Sequence, residues 1–194
     1  MRVIAGKAKG RKLQTLAGDT TRPTPDRVRE ALFSILGPNA AADHVLALFA
    51  GSGALAIEAL SRGALKATLV EKHAGARAVI TKNLTVLGPQ SHAARLLGLP
   101  AARALAQCAR DGDQFDLIFL DPPYGLELVA PTLLQLMQHH LLRYDGLIVA
   151  EHAGATPSPQ APPTLTCFFH RRYGDVALSL YRHAPTTPPA SESP

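Results

Sequence analysis

The stretch Val45-Leu46-Ala47-Leu48-Phe49-Ala50-Gly51-Ser52-Gly53-Ala54-Leu55-Ala56 decides the predicted fold. Its first residues form a short apolar run typical of a buried strand, and its last residues begin a helical pattern. Gly51 and Gly53 lie between the two, where the absence of a Cβ permits unusual backbone angles and lets a ligand approach the main chain. The stretch therefore predicts a strand, a glycine turn and a helix, with a binding site at the turn.

Glu71 ends the next apolar run, 20 residues after Gly51. A carboxylate at the end of the second strand of a β-α-β unit can accept hydrogen bonds from the two hydroxyls of a ribose. This spacing favours a nucleoside cofactor over a purely structural turn. It leaves the nucleoside open, because Gly51, Gly53 and Ala56 also match the fingerprint of NAD binding, in which a pyrophosphate meets the helix N-terminus.

Outward from this unit, short apolar runs alternate with helical segments. The alternation predicts an α/β fold with parallel strands, right-handed crossovers and helices on both faces of the sheet. After a proline-rich link, two further runs resemble a closing antiparallel hairpin. The predicted strands are 45–49, 67–71, 94–97, 115–120 and 146–150, the predicted helices are 54–62, 74–87, 100–110 and 127–142, and the hairpin runs are 164–170 and 175–182.

A second binding corner is predicted where the run 115–120 ends, at Asp121-Pro122-Pro123-Tyr124. The prolines remove two N–H donors and stiffen the turn, so that carbonyl oxygens stand beside the Asp121 carboxylate. Such acceptors suit the exocyclic amine of a nucleobase, because they could hold both N–H groups, orient the nitrogen and draw electron density out of the ring. Tyr124 could stack on a base that has left its helix.

The N-terminal part of the chain predicts a hairpin and a helix. Arg2 to Ala5 and Arg11 to Thr15 read as two short strands joined by Gly6 to Gly10. Thr24 is placed to cap a helix with Pro25 at its first position, and Gly37-Pro38 ends that helix.

This part of the chain is also strongly basic. Residues 1–29 contain eight Lys and Arg against two Asp, a local charge of +6, whereas the remainder carries twelve against thirteen. A near-neutral body with a basic arm is typical of proteins that dock a polyanion on one side, because each phosphate contact releases condensed counterions.

Composition excludes several classes of protein. The chain has 194 residues, of which 46% are hydrophobic and 18% are charged. This composition excludes a mainly disordered, collagenous or coiled-coil protein. Cys108 and Cys167 form no CxxC, and the 8 His lack metal-site spacing, which argues against a disulfide scaffold or a metal. No apolar run reaches the ~18 residues of a membrane span, and the start lacks a signal peptide. We therefore expect a soluble, cytoplasmic protein with no membrane partner.

Several segments, in their order along the chain, together resemble the RsmD family. They cover about residues 2 to 182, and the long arginine-containing run joined to the glycine turn is the most specific of them. The segments are Arg2-Val3-Ile4-Ala5-Gly6 with Gly10-Arg11-Lys12-Leu13, Arg22-Pro23-Thr24-Pro25-Asp26-Arg27-Val28-Arg29-Glu30-Ala31-Leu32-Phe33, Leu48-Phe49-Ala50-Gly51-Ser52-Gly53 with Glu58-Ala59-Leu60-Ser61-Arg62-Gly63-Ala64, and Asp121-Pro122-Pro123-Tyr124.

The resemblance implies a Rossmann-like class I methyltransferase whose seven-stranded, mostly parallel sheet ends in an antiparallel hairpin and follows a small basic β-hairpin and helix. It implies a single domain over 1–183, comprising 1–37 and a core 44–183, with a disordered tail 184–194. Its activity would be methylation of the exocyclic N2 amine of a guanine in 16S ribosomal RNA with S-adenosylmethionine. The partner would be that RNA or a small-subunit assembly particle, and the chain would act as a monomer.

The resemblance also assigns roles to individual residues. The glycine turn would lie beside the methionine part of the cofactor, Glu71 would bind its ribose, and the Asp121 corner would hold the guanine. In full, the expected catalytic residues are Asp121, Pro122, Pro123 and Tyr124, the cofactor-binding residues are Phe49, Ala50, Gly51, Ser52, Gly53, Glu71, Lys72 and Leu99, and the RNA-binding residues are Lys7, Lys9, Arg11, Lys12, Arg22, Thr24 and Arg27. No metal is implied.

Three positions depart from the family's pattern. Ala47 stands where family members usually have an acid that helps hold the cofactor's ammonium. Near the position of Leu99, members usually have an Asp or Asn that contacts the adenine amine, and near the position of His73 they often have an Asp. Each missing polar contact is worth about 1 to 3 kcal/mol. One alternative is therefore a catalytically weakened RNA-binding relative. A DNA adenine-N6 methyltransferase and an NAD-dependent oxidoreductase are two others.

Overall fold

The computed structural model describes residues 1–15, 25–123 and 127–185. Five α-helices and seven β-strands alternate along most of this length. The helices are α1 Asp26–Leu36, α2 Ala54–Arg62, α3 Ala74–Leu84, α4 Ala101–Arg110 and α5 Val129–Gln138, and the strands are β1 His44–Leu48, β2 Lys66–Val70, β3 Ala94–Leu97, β4 Phe115–Leu120, β5 Leu142–Ala153, β6 Leu165–Tyr173 and β7 Val176–His183. Short 3-10 segments follow α1 and α3, over Gly37–Ala41 and Thr85–Ala93.

The strands form one sheet in the order β3-β2-β1-β4-β5-β7-β6. Its first five strands pair in parallel, and β7 pairs antiparallel with both β5 and β6. This confirms the predicted α/β fold with a seven-stranded, mostly parallel sheet and a C-terminal hairpin.

The two faces of the sheet carry separate apolar cores because successive strand side chains point to opposite sides. On β1, Val45 and Ala47 pack with residues of α1 and α2, whereas Leu46 and Leu48 pack with residues of α4 and α5. All five residues of β1 are buried. Because both faces are covered, the strand is a continuous apolar run rather than an alternating one.

The predicted helix 127–142 was wrong at its C-terminal end. The helix α5 stops at Gln138, and His140 adopts a left-handed backbone with φ of 52°. The N–H of Leu141 then donates to the carbonyl of Leu136 at 3.1 Å, which closes the helix. Leu141 and Leu142 continue the apolar helical spacing, but they are buried at the start of β5, which runs for 12 residues instead of the predicted five.

Other boundaries shift by a few residues. The helix α3 ends at Leu84 rather than 87, and the 3-10 segment after it is interrupted at Gly88, whose φ is 58°. The final hairpin turns at Gly174 and Asp175, later than the predicted 171–174, because Gly174 supplies the positive φ of 68° that the turn requires.

The N-terminal hairpin is shorter in regular structure than predicted. A single antiparallel bridge joins Arg2 and Lys12, and the N–H of Leu13 donates to the carbonyl of Met1 at 3.0 Å. The helix α1 begins at Asp26 and ends, as predicted, just before Gly37. The predicted cap Thr24 and most of the predicted tail lie outside the described residues. In the described part of the chain, no helix is long and apolar enough to cross a membrane.

Candidate active site at the carboxyl edge of the sheet

The residues that follow β1, β2 and β4 meet at one edge of the sheet. Leu48, the last residue of β1, pairs with Val70 on one side and with Leu120 on the other. Parallel neighbours lie about 4.8 Å apart, so Phe49, Glu71 and Asp121 leave the sheet side by side. The strand order reverses between β1 and β4, and such a switch point is where open α/β sheets bind ligands.

The two glycines of the turn have different structural roles. Gly51 and Gly53 both have positive φ, of 55° and 79°. A Cβ on Gly53 would approach Leu69 Cδ2 to 3.2 Å, whereas one on Gly51 would meet nothing closer than a main-chain oxygen at 3.9 Å. Gly53 is thus required for packing against the core, while Gly51 faces open space through which a ligand can reach the main chain.

Phe49 is the first residue of the turn and has a left-handed backbone, with φ of 58°. A bulky residue rarely adopts this conformation, and such strain persists where the surroundings enforce it, often at binding sites. Ala50 supplies part of that enforcement, because its N–H donates to Val70 at 3.0 Å and its carbonyl accepts from Gly53 at 2.7 Å.

Glu71 holds the glycine turn through its carboxylate. One oxygen accepts the N–H of Gly51 at 3.0 Å and the other accepts the N–H of His73 at 2.8 Å. The residue is 7% exposed. Each carboxylate oxygen has two acceptor sites, so Glu71 retains capacity for two more donors, such as adjacent hydroxyls.

Arg77 of α3 supports the segment after β2, and sequence reasoning missed it. Its Nη1 donates to the carbonyl of Lys72 at 2.6 Å, and its guanidinium packs against Gly98, where a Cβ would lie 3.1 Å from Nε. Lys72 itself is exposed, and Leu99 is partly buried against the core on the α4 side.

The proline corner after β4 is partly exposed. Asp121 is half-buried, Pro122 is buried and Pro123 is exposed. Tyr124 lies outside the described residues. Because neither proline has an N–H, the main chain here offers only acceptors, beside the carboxylate of Asp121.

Glu151 is a further acid at this edge that sequence reasoning missed. It follows Ala150, the residue of β5 paired with Leu120, so it occupies the position next to Asp121 in the neighbouring strand. It is 3% exposed. The signal was available, since Glu151 follows an apolar strand just as Glu71 does.

The N-terminal arm, residues 1–14, is fastened along α2 by two polar side chains whose roles sequence reasoning did not recognise. Glu58 accepts the N–H groups of Ile4 and Ala5 at 2.7 and 2.9 Å, and also pairs with Arg62. Ser61 Oγ accepts the N–H of Ala8 at 2.9 Å and donates to the carbonyl of Ala5 at 2.6 Å. These contacts fix the main chain of residues 4–8 to the helix that follows the glycine turn.

The cationic residues of the arm are not brought to the proline corner. All five are exposed, and the N–H of Lys7 donates to the carbonyl of Ser61 at the far end of α2, about 13 Å along that helix from the glycine turn. Arg27 is exposed in the first turn of α1, and Arg22 and Thr24 lie outside the described residues. The five exposed cationic residues of the arm are Arg2 and the four predicted to bind RNA, Lys7, Lys9, Arg11 and Lys12.

Ala47, where the chain departs from the family's pattern, is buried, and the described residues offer no metal site. Ala47 is 2% exposed and pairs with Leu69 and Phe119 in the middle of the sheet. Within the described ranges, no group of three His, Cys, Asp or Glu residues is placed to hold a metal ion.

The strand order, the glycine turn and the acid after β2 define a class I methyltransferase fold. A solved structure of yhhF from Escherichia coli superposes with a TM-score of 0.82 at 37% identity, covering 94% of this chain and 97% of that one. A family model described as "Conserved hypothetical protein 95" matches residues 1–182. The chain belongs to this family, the RsmD family.

Curated relatives match nearly the whole chain. The protein of Escherichia coli (strain K12) named ribosomal RNA small subunit methyltransferase D is 36% identical over 182 residues, covering 94% of this chain and 89% of that protein. The protein of the same name from Haemophilus influenzae is 35% identical over 183 residues, covering 94% of each.

Proposed function

We propose that this protein transfers the methyl group of S-adenosylmethionine to the exocyclic N2 amine of a guanine in 16S ribosomal RNA. One observation carries the proposal. The pairing of Leu48 with both Val70 and Leu120 sets a glycine turn held by Glu71 directly beside the acceptor-rich Asp121 corner. A donor and a nucleobase bound at these two positions would be neighbours.

The residues of the turn fit S-adenosylmethionine. Glu71 has free acceptor capacity for the two ribose hydroxyls, and the open side of Gly51 leaves room for the methionine part against the main chain. When bound, this cofactor supplies an activated methyl group on a positively charged sulfur. The remaining turn residues Phe49, Ala50, Ser52 and Gly53, with Lys72 and Leu99 beyond β2 and β3, would line the same site.

The same contacts disfavour NAD. A pyrophosphate needs main-chain N–H donors, but the N–H of Gly51 is taken by Glu71 and that of Gly53 by Ala50.

At the proline corner, Asp121 and the carbonyl of Pro122 would accept the two N–H groups of the guanine amine. This would hold the nitrogen with its lone pair toward the methyl donor, and the negative carboxylate would stabilise the positive charge that develops on nitrogen as the N–C bond forms and the S–C bond of the donor breaks. The proton that the nitrogen then loses would pass to the Asp121 carboxylate and on to solvent. Pro123 would keep the corner stiff, and Tyr124 would stack on the base.

Glu151 favours guanine over adenine as the target. Guanine presents its N1–H donor beside the N2 amine, whereas adenine presents an acceptor at N1 beside its N6 amine. A second carboxylate next to Asp121 could accept the N1–H of guanine and would repel the N1 lone pair of adenine. The position of Glu151 in the strand next to Asp121 therefore supports guanine over adenine as the target base.

The basic arm supports an RNA substrate. Its five exposed cations stand on a body that is otherwise near neutral, which suits contact with a phosphate backbone at a distance from the reacting base. The family model matches the arm as well as the core, and members of similar sequence are named ribosomal RNA small subunit methyltransferase D. Arg22, Thr24 and Arg27 would meet the RNA nearer the cleft.

The test is transfer of labelled methyl from S-adenosylmethionine to purified 16S ribosomal RNA, with duplex DNA as the competing substrate. We expect label in N2-methylguanine of the RNA and none in DNA. Replacing Asp121 by Ala should lower the rate at least about 100-fold, because a preorganised acceptor at the developing charge is lost, while RNA affinity changes by only a few-fold. Asp145→Ala, an exposed carboxylate on β5 far from the corner, is the matched control.

Label in DNA adenine, or full activity of the Asp121 variant, would overturn the proposal. Calorimetry with S-adenosylhomocysteine and with NAD decides the remaining alternatives. Heat with NAD alone would indicate an oxidoreductase. RNA binding with no heat from S-adenosylhomocysteine would indicate the weakened relative, and Ala47 and Leu99 would then be the positions at which to restore acids.

A further inference from the structure

The side chain of Asn83 joins the N-terminal arm to the glycine turn. Asn83 lies near the end of α3 and is 1% exposed. Its Nδ2 donates to the carbonyl of Ser52 and to the carbonyl of Gln14, both at 2.9 Å. Its Oδ1 accepts the N–H of Gln14 at 2.7 Å. One buried amide therefore connects main-chain groups that are 38 residues apart in sequence.

The position of Gln14 depends in turn on how the arm is docked. Ser61 and Glu58 fix the main chain of residues 4–8 to α2. Gly6 lies so close to α2 that a Cβ there would overlap the carbonyl of Ser61. Val3 and Leu13 of the arm are 1% and 5% exposed and belong to the main core. The arm is thus built into the body of the protein, and Asn83 bonds its last residue.

Several hydrogen bonds hold the glycine turn, and one of them leads to the arm. Glu71 holds the N–H of Gly51, and Ala50 holds the N–H of Gly53. Asn83 holds the carbonyl of Ser52, the residue between the two glycines. Glycines lose more conformational freedom on ordering than other residues, so a turn with two of them depends on such attachments for its shape.

We infer that Asn83 is a positioning residue that makes docking of the arm a condition for tight cofactor binding at the glycine turn. The inference rests on the proposed function in that the ligand of the turn is S-adenosylmethionine. When the arm undocks, Gln14 moves away from Asn83. Asn83 then loses two of its three hydrogen bonds and its fixed orientation toward Ser52. By contrast, an arm that served only to contact RNA would leave cofactor affinity unchanged when loosened.

A double-mutant cycle tests this link in the full chain. Asn83→Asp keeps the size and the acceptor but replaces the donor by an oxygen that faces two carbonyls, and Ser61→Ala loosens the arm without touching the turn. With S-adenosylhomocysteine as the probe, we expect the Kd to rise about tenfold for Asn83→Asp and about threefold for Ser61→Ala. The double variant should bind within about twofold of Asn83→Asp, because the arm then has no link to act through.

The matched control is Ser34→Ala, which removes an exposed hydroxyl bonded only within α1 and should leave the Kd unchanged. In turnover, Asn83→Asp should raise the KM for the cofactor and keep kcat within about twofold, since its bond is to the binding turn and not to the base. Additive effects in the double variant, or an unchanged Kd in Ser61→Ala, would overturn the inference.

Hydrogen exchange of the unmodified protein provides a test that needs neither a variant nor a cofactor. The amide of Gln14 and those of Gly51 and Gly53 should exchange through one shared opening, with protection factors within about threefold and equal dependence on denaturant. Separate openings that differ more than about tenfold would refute the link. If S-adenosylhomocysteine gives no heat with the wild-type protein, the proposed function fails, and hydrogen exchange still decides whether the arm and the glycine turn are linked through Asn83.

Discussion

The two halves of the molecule, at opposite ends of the strand order, are held together in different ways. The arm half consists of the arm, β1, α2, β2 and α3, and the hairpin half consists of β5, β6 and β7. In the arm half, buried polar side chains bind irregular main chain that is distant in sequence. Glu58 accepts the N–H of Ala5, 53 residues away, and Asn83 accepts the N–H of Gln14, 69 residues away. In the hairpin half, long antiparallel ladders satisfy the main chain directly.

The hairpin half also has a polar cluster, in which His152 and Ser179 are buried and His170 is exposed, but its members bond to one another. Ser179 Oγ lies 2.9 Å from His152 Nε2 and 3.0 Å from His170 Nδ1, and the two rings stack with centroids 5.5 Å apart. None of these groups fixes the main chain of the glycine turn or the proline corner. Substitutions in this cluster should therefore cost only stability, whereas substitutions of the polar side chains that hold the glycine turn should cost ligand binding.

The largest expected effect is the response of the arm half to Gly6→Ala. Gly6 and Gly10 have nearly equal φ, 80° and 81°, but an added Cβ would overlap Ser61 at Gly6 and would meet nothing within 4 Å at Gly10. Both substitutions carry the left-handed strain of about 1 kcal/mol, and only Gly6→Ala adds a clash with backbone. Urea unfolding should give a loss of roughly 3 kcal/mol for Gly6→Ala and about 1 for Gly10→Ala. Equal losses would mean that the arm is not seated on α2.

The second effect is on ligand binding and separates the halves most directly. Glu71→Gln keeps the shape of the side chain but puts an amide nitrogen where an acceptor is needed, opposite N–H groups of Gly51 and His73. Losing charged acceptors of this kind costs about 2 kcal/mol, so the Kd for S-adenosylhomocysteine should rise roughly 30-fold. Glu30→Gln, an exposed carboxylate on α1, should leave it unchanged. A rise below threefold would remove Glu71 from the site.

In the arm half and at the site, the sequence predicts some features and misses others. The glycine turn, Glu71 and the Asp121 corner were predictable, because each directly follows a short apolar run and the ends of parallel strands meet at one edge. The roles of Glu58, Ser61 and Asn83 were not, because each partners main-chain groups far away, and main-chain groups leave no signal in residue types. The boundary between α5 and β5 failed for a local reason, since Leu141 and Leu142 satisfy the helical and the strand pattern alike.

The third effect is a loss of stability without loss of binding. Ser179→Ala in the hairpin half removes a hydroxyl bonded to both histidines, which should cost about 1 to 2 kcal/mol in urea unfolding. The Kd for S-adenosylhomocysteine should stay within about twofold of the wild-type value, unlike that of Glu71→Gln. A tenfold weaker Kd would show that the hairpin cluster acts on the turn, and the contrast between the halves would fail.

The smallest effect is a pH dependence shared by one buried histidine from each half. Burial lowers the pKa of His152 in β5 from its ordinary 6.5, and burial together with the nearby charge of Lys66 lowers the pKa of His44 in β1. The fold therefore resists protonation of both rings, whereas the unfolded chain takes up protons as the pH falls through 6.5. Stability should be full above that pH and decline below it, by at most about 1.4 kcal/mol per histidine for the first pH unit.

Urea midpoints measured from pH 7.5 to pH 5.5 should thus fall, and His152→Gln and His44→Gln should each flatten part of the slope. The two parts should add, because His152 contacts Ser179 and Thr156 on the hairpin side, while His44 bonds Thr68 and packs on Phe115 at the opposite end of the parallel strands. If one variant alone abolished the slope, the two halves would share one titrating network, contrary to their separate construction.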